Sequence, residues 1–142
     1  MKINFFHENI ANPQINLTKI RAWINAVVKN LGKSIGNINY IFCDDTYLLN
    51  INRQYLQHDY FTDIITFDYS ENEKISGDIF ISIDTVDKNA KEYDTQSTEL
   101  YRVIIHGILH LCGFKDKTTN ESNEMRKQED FCLNLLECQG IV

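Results

Sequence analysis

Apolar and polar positions alternate along Lys2–His7 (KINFFH), which puts Ile3 and Phe5 on one face, Asn4 and Phe6 on the other, and predicts a first strand. From Leu17 to Leu31 the period lengthens to that of a helix. Ile20, Trp23, Ile24, Val27, Val28 and Leu31 share one stripe, and Gly32 follows where a left-handed C-cap belongs. Asn37–Cys43 (NINYIFC) predicts a second strand by its branched and aromatic content. Asp44 and Asp45 are N-cap residues for a helix over 46–56, with Leu48, Leu49 and Ile51 toward the core. Asp63–Asp68 (DIITFD) and Gly77–Asp84 (GDIFISID) predict two further strands, and the polar stretch Tyr69–Ser76 between them has the length of a hairpin, so antiparallel pairing is expected. A short polar helix follows over Asp84–Tyr93. Two stronger ones are predicted over Ser97–Cys112 and Asn120–Cys138, the last opened by the capping-box pattern Thr118-Thr119-Asn120-Glu121 and turning Met125, Cys132, Leu135 and Leu136 inward. These elements predict an α/β (α+β) fold, a four-stranded mixed sheet packed with about five helices.

Composition narrows the class. The chain has 142 residues, of which 43% are hydrophobic and 24% charged, with one proline and six glycines, and so reads as an ordinary globule. No repeat or linker divides it, so one domain over residues 1–142 is expected. No apolar run reaches the ~20 residues that span a bilayer. The start, MKINFFHENIANPQ, lacks the pattern of a signal peptide, so a cytoplasmic location and no membrane partner are expected. Cys43, Cys112, Cys132 and Cys138 form no C-x-x-C pair and sit among apolar neighbours, as buried thiols do. The net charge of −6 does not advertise general affinity for nucleic acid; an RNA substrate would need a local cationic patch or a bound cation.

The segment richest in chemistry is His106-Gly-Ile-Leu-His110-Leu-Cys-Gly113-Phe-Lys-Asp116. Two histidines four apart on a helix share one face with Cβ atoms roughly 6 Å apart, so their ring nitrogens can converge on one Zn²⁺. Gly113 follows at a position where a left-handed residue stops the helix and turns the chain back. Asp116 then lies on the returning segment. Two helix ligands and one turn ligand leave a fourth position open, the mark of a catalytic zinc site. Surrounded by Ile104, Ile105, Ile108, Leu109 and Leu111, unpaired imidazoles would be costly without a metal or hydrogen bond. His106, His110 and Asp116 are therefore the expected ligands of one zinc per chain. A zincin peptidase needs a glutamate after the first histidine as general base, and Gly107 cannot take a proton.

On these residues the sequence resembles the YbeY-type rRNA maturation factors, zinc-dependent single-strand-specific endoribonucleases of bacteria, which carry H-G-x-L-H-L-x-G-[YF]-x-[HD]. Asn52, Tyr55, Asp59 and Thr62-Asp63-Ile64-Ile65-Thr66-Phe67 resemble the family's N-x-x-Y-R-x-x-D-x-P-T-D-V-L-S-F, and Gly77-Asp78-Ile79 its G-D-I strand. The resemblance covers about residues 45–140. It implies a metalloprotease-like fold, zinc on His106, His110 and Asp116, single-stranded rRNA as substrate, the ribosome or a ribosomal subunit as partner, and a role in 16S rRNA 3′-end maturation and ribosome quality control. The third ligand, most often histidine in the family, is Asp116 here. Leu56 stands in place of the family arginine and Phe61 in place of its proline; Arg53 and His58 are the nearest cationic replacements.

No general base is identifiable from the sequence. Asp63 and Asp59 are candidates, although an aspartate at a strand start is commonly a cap or turn residue. Arg53, His58, Lys115, Lys117, Arg102 and Arg126 are candidate substrate-holding cations. Tyr55, Tyr60, Phe61 and Phe114 are candidate base-stacking groups, with at least two expected in the core. Three function classes follow: a zinc endoribonuclease, a metal-dependent hydrolase of another substrate, and a ribosome assembly factor with a structural zinc.

Overall fold

The computed structural model describes residues 2–138. Its elements are β1 (Lys2–His7), α1 (Leu17–Asn30), β2 (Ser34–Cys43), α2 (Asp45–Leu56), β3 (Ile64–Asp68), β4 (Lys74–Ser82), α3 (Ile83–Glu92), α4 (Glu99–Leu111) and α5 (Thr119–Cys138). The strands form one mixed sheet in the order β1-β2-β4-β3, with β1, β2 and β4 parallel and β3 antiparallel to β4. β1 and β3 are thus its edges. Among the described residues no helix is long and apolar enough to cross a membrane.

Local signals set most of the helix ends. Asn16 caps α1 by accepting from the Lys19 amide at 3.1 Å. Gly32, at φ +74°, then closes it, with Lys33 N–H reaching back to the Val28 carbonyl at 3.1 Å. The α5 capping box is complete: the Thr118 hydroxyl accepts from the Glu121 amide at 3.1 Å, and the Glu121 carboxylate accepts from the Thr118 amide at 3.0 Å. Only Asp44 caps α2; Asp45 instead accepts from the Ser82 and Thr85 hydroxyls at the start of α3. β4 stops two residues earlier than its apolar run, because Ser82 serves as the N-cap of α3 and draws Ile83 and Asp84 into the helix. β2 and β4 both begin earlier than predicted, since Ile35 finds Ile75 across the sheet. A register shift between Ile35 and Ile38 allows these two residues, three apart, to enter the same core.

Each sheet face carries its own apolar cluster. Ile38, Tyr40 and Phe42 of β2 and Ile79 and Ile81 of β4 pack with Trp23, Ile104, Ile105 and Ile108 of α1 and α4. The polar tips of the two large aromatics are satisfied: Tyr40 O–H donates to the Ile104 carbonyl and Trp23 Nε1–H to the Cys132 carbonyl, both at 2.8 Å. The smaller cluster on the other face joins Cys43, Leu48 and Ile65 beneath α2. Cys43 and Cys132 are buried as expected and Cys112 is half-buried, but Cys138 is exposed, a correction explained by its place in the final turn of α5 beyond Leu136.

Two glycines set how closely α4 lies on the sheet. A Cβ on Gly107 would sit 3.0 Å from both Cδ1 and Cγ2 of Ile79 and 3.3 Å from Cδ1 of Ile64. A Cβ on Gly77 of β4 would meet the Phe67 carbonyl oxygen at 2.4 Å and Leu111 Cδ2 at 2.9 Å. The second contact involves backbone and cannot relax by a rotamer change. Gly77→Ala is expected to lower stability by about 1–3 kcal/mol, read as a drop of several degrees in Tm and a lower denaturant midpoint.

Candidate metal centre

His106 and His110 of α4 line a common cleft with residues of β3. Their rings lie edge to face with centroids 4.5 Å apart. After Leu111 the chain reverses through a Schellman turn: Gly113, at φ +105°, donates to the His110 carbonyl, and Phe114 N–H donates to the Leu109 carbonyl, both at 3.0 Å. The returning segment carries Asp116 back to the histidines. Its Oδ2 lies 3.3 Å from Nε2 of His106 and 3.3 Å from Nε2 of His110. All three donor atoms fall within 4.8 Å of one another, so the group could hold a metal ion.

The other nitrogen of each ring decides which donors face that point. His106 Nδ1 is 2.6 Å from a carboxylate oxygen of Glu129, and His110 Nδ1 is 3.0 Å from the Phe114 carbonyl oxygen. Both partners are acceptors, so each Nδ1 carries the proton and a neutral ring presents the bare lone pair of Nε2. The donor set therefore fits zinc. A tetrahedral site with bonds of about 2.0–2.1 Å has edges of about 3.3–3.4 Å, the separation of Asp116 Oδ2 from both nitrogens.

Glu129 has no counterpart in the site read from the sequence. It is 6% exposed, and its second oxygen accepts from Arg102 Nη1 at 2.8 Å, while Arg102 Nη2 donates to Asp130 at 2.8 Å. Burial pushes the Glu129 carboxyl up, but the hydrogen bonds and charges of His106 and Arg102 outweigh it and hold the group below its usual range. For His106, burial acts to lower the pKa; Glu129, then Asp116 and Asp63, overcome that and raise it. A sequence signal existed. Glu129 is a carboxylate set in the inward stripe Met125, Cys132 and Leu136 of α5.

A cleft of about 700 Å³ opens over this group between β3, the end of α3, α4 and α5. Ile64, Thr66 and Asp68 line it from alternate positions of β3. Asp63 also lines it, half-buried, with its carboxyl pushed up by burial and partly pulled back by His106. Asp59 does not reach the cleft; it is exposed and paired with Arg53. His58 is exposed and stacked on Tyr60, with ring centroids 5.1 Å apart, so neither Arg53 nor His58 lines the cleft. Lys115 and Lys117 are exposed on either side of Asp116. Arg102 faces the cleft already paired, and Arg126 lines it from α5.

The expectation of core aromatics is corrected. Tyr55, Tyr60 and Phe61 are 60%, 54% and 62% exposed, and only Phe114 packs partly against the main core. Tyr55 sits on the outward side of α2, and Tyr60 and Phe61 follow Gln57, which ends the helix left-handed at φ +55° and starts an exposed loop tied back to Asn52 rather than to the core.

Comparison with known proteins extends the match beyond the site. The sequence profile described as endoribonuclease YbeY matches residues 5–137. A protein of Parabacteroides distasonis named endoribonuclease YbeY is 52% identical over 142 residues, covering 98% of this chain and 100% of the relative. One of the same name from Cytophaga hutchinsonii is 53% identical over 135 residues, 94% of each chain. The solution structure of TM1509 from Thermotoga maritima superposes with a TM-score of 0.66 at 25% identity, over 97% of this chain and 93% of that one. The profile runs through the sheet, the paired histidines and most of α5, and by it the chain belongs to the endoribonuclease YbeY family.

Proposed function

We propose that this chain is a zinc-dependent endoribonuclease that cuts single-stranded RNA in rRNA maturation, at the 16S rRNA 3′ end, and in ribosome quality control. It works as one domain over residues 1–142, in the cytoplasm and with the ribosome or a ribosomal subunit as partner, holding one zinc on His106, His110 and Asp116. The observation that carries the metal assignment is the pair of 3.3 Å separations between Asp116 Oδ2 and two Nε2 atoms whose rings are already oriented from behind. Family membership supports RNA as the substrate.

Bound there, zinc supplies Lewis acidity that stabilises charge on a phosphoryl oxygen. The chain's own residues do the rest. Glu129 and the Phe114 carbonyl hold both imidazoles in one tautomer, so no reorganisation is needed when a substrate arrives. Asp63 is the one of the two candidate proton acceptors that faces the cleft. A peptidase has less support: Gly107 is buried against Ile79 and offers no base.

Metal content of the purified protein, beside His110→Ala and Asp116→Ala, tests the site. About one equivalent of zinc is expected in the wild type, with loss in both variants; zinc retained by the Asp116 variant would remove the third ligand. Cleavage of single-stranded but not duplex RNA is expected, and His106→Ala should abolish it. A zinc-loaded wild type that cuts no RNA would leave the assembly-factor reading. Glu129→Gln keeps the shape but weakens the acceptor behind His106, and zinc affinity is expected to fall roughly 10–100-fold by competition with a chromogenic chelator.

A further inference from the structure

The cleft that holds the histidines is lined by carboxylates. Asp63, Asp68, Glu99 and Glu129 face it together with Asp116, against two arginines, Arg102 and Arg126. Arg102 is fully engaged, with both terminal nitrogens donating at 2.8 Å to Glu129 and Asp130. Arg126 is exposed and forms no ion pair among the described residues. A polyanion entering this cleft therefore meets one arginine whose donors are not already committed to a carboxylate.

Its position is also set. Ser122, Arg126 and Glu129 line the cleft from one face of α5. Residues three apart on a helix have Cβ atoms about 5–6 Å apart, so Arg126 lies one turn from the glutamate that touches His106. A guanidinium offers a planar, bidentate fork suited to phosphate oxygens. Tyr93, at the C-terminal end of α3, lines the same cleft and is 64% exposed. Its ring does not pack into either apolar cluster and is open for an unpaired base to stack on.

We propose that Arg126 binds a backbone phosphate of single-stranded RNA beside the reacting position, and that Tyr93 stacks a base of the same strand. The inference rests on the reading of the cleft as an RNA site. It assigns substrate-binding residues on α5 and at the C-cap of α3, away from the end of α2, where Arg53 is paired with Asp59.

The test is binding of a fluorescently labelled, 2′-O-methylated oligouridylate by anisotropy across a range of salt, with circular dichroism to verify the fold of each variant. Arg126→Ala should weaken binding roughly 10-fold or more, as expected for loss of a hydrogen bond to a charged group. It should also reduce the salt slope of log K by about 0.7, one phosphate contact on a single strand. Arg126→Lys should keep most of the slope, and Lys127→Ala, one residue on but outside the cleft, should change neither. Tyr93→Ala should weaken binding roughly 5-fold or more with the slope unchanged, since stacking releases no counterion. Arg126→Ala with wild-type affinity and slope, in a protein that still cuts RNA, overturns the inference and spares the function. An unchanged Tyr93→Ala overturns the stacking role. A wild type that neither binds nor cuts RNA overturns the function, and the inference with it.

Discussion

The direction in which two protons point governs the whole site. Glu129 and the Phe114 carbonyl can only accept, so they fix both imidazole protons on Nδ1 and leave Nε2 of each ring bare toward Asp116. Everything that secures those acceptors is part of the same device. The Phe114 carbonyl is placed by the Schellman turn that ends α4, so one turn both orients His110 and returns Asp116. The Glu129 carboxylate is placed by the docking of α5, which Trp23 anchors through the Cys132 carbonyl.

The electrostatics follow from that arrangement. A buried carboxylate against an imidazole is tolerable because Arg102 shares it, and Arg102 is in turn balanced by Asp130. Asp130, Arg102 and Glu129 alternate in sign from the surface inward, and the chain ends on the Nδ1 side of His106. It joins α5 to α4 by polar contacts whose partners are all satisfied, and no buried side-chain donor or acceptor is orphaned among the described residues. The histidines and their carboxylate support stand on α4 and α5, and β3 forms the facing wall of the cleft.

How much of this could be read from the sequence depended on distance along the chain. Element types were legible, since apolar periodicity and caps such as Gly32 and Thr118 act locally. The early starts of β2 and β4 were not, because Ser34 and Lys74 become strand only by pairing with each other across 40 residues of chain. His106, His110 and Asp116 lie within one helix and its turn, so their convergence could be argued from spacing. Glu129 is 23 residues beyond His106 and needed the fold, although a charge in the apolar stripe of α5 marked it as unusual. Arg53 and His58 are the cations nearest Leu56 in sequence, but each has its own partner outside the cleft, Asp59 and Tyr60.

The free edge of β3 has a consequence for association between molecules. A strand with one unpaired side is a template on which another extended chain, including a second copy, can add hydrogen bonds. Here the same strand lines the cleft through Ile64, Thr66 and Asp68, so a second chain laid along it would crowd the cleft. The strand is instead kept to five residues, Ile64–Asp68, ending in an exposed aspartate and preceded by Asp63. Two like charges at its ends would face those of an antiparallel twin, so edge-to-edge pairing of copies meets electrostatic repulsion. The acidity that makes the cleft a demanding place for a polyanion thereby also guards the sheet edge beside it.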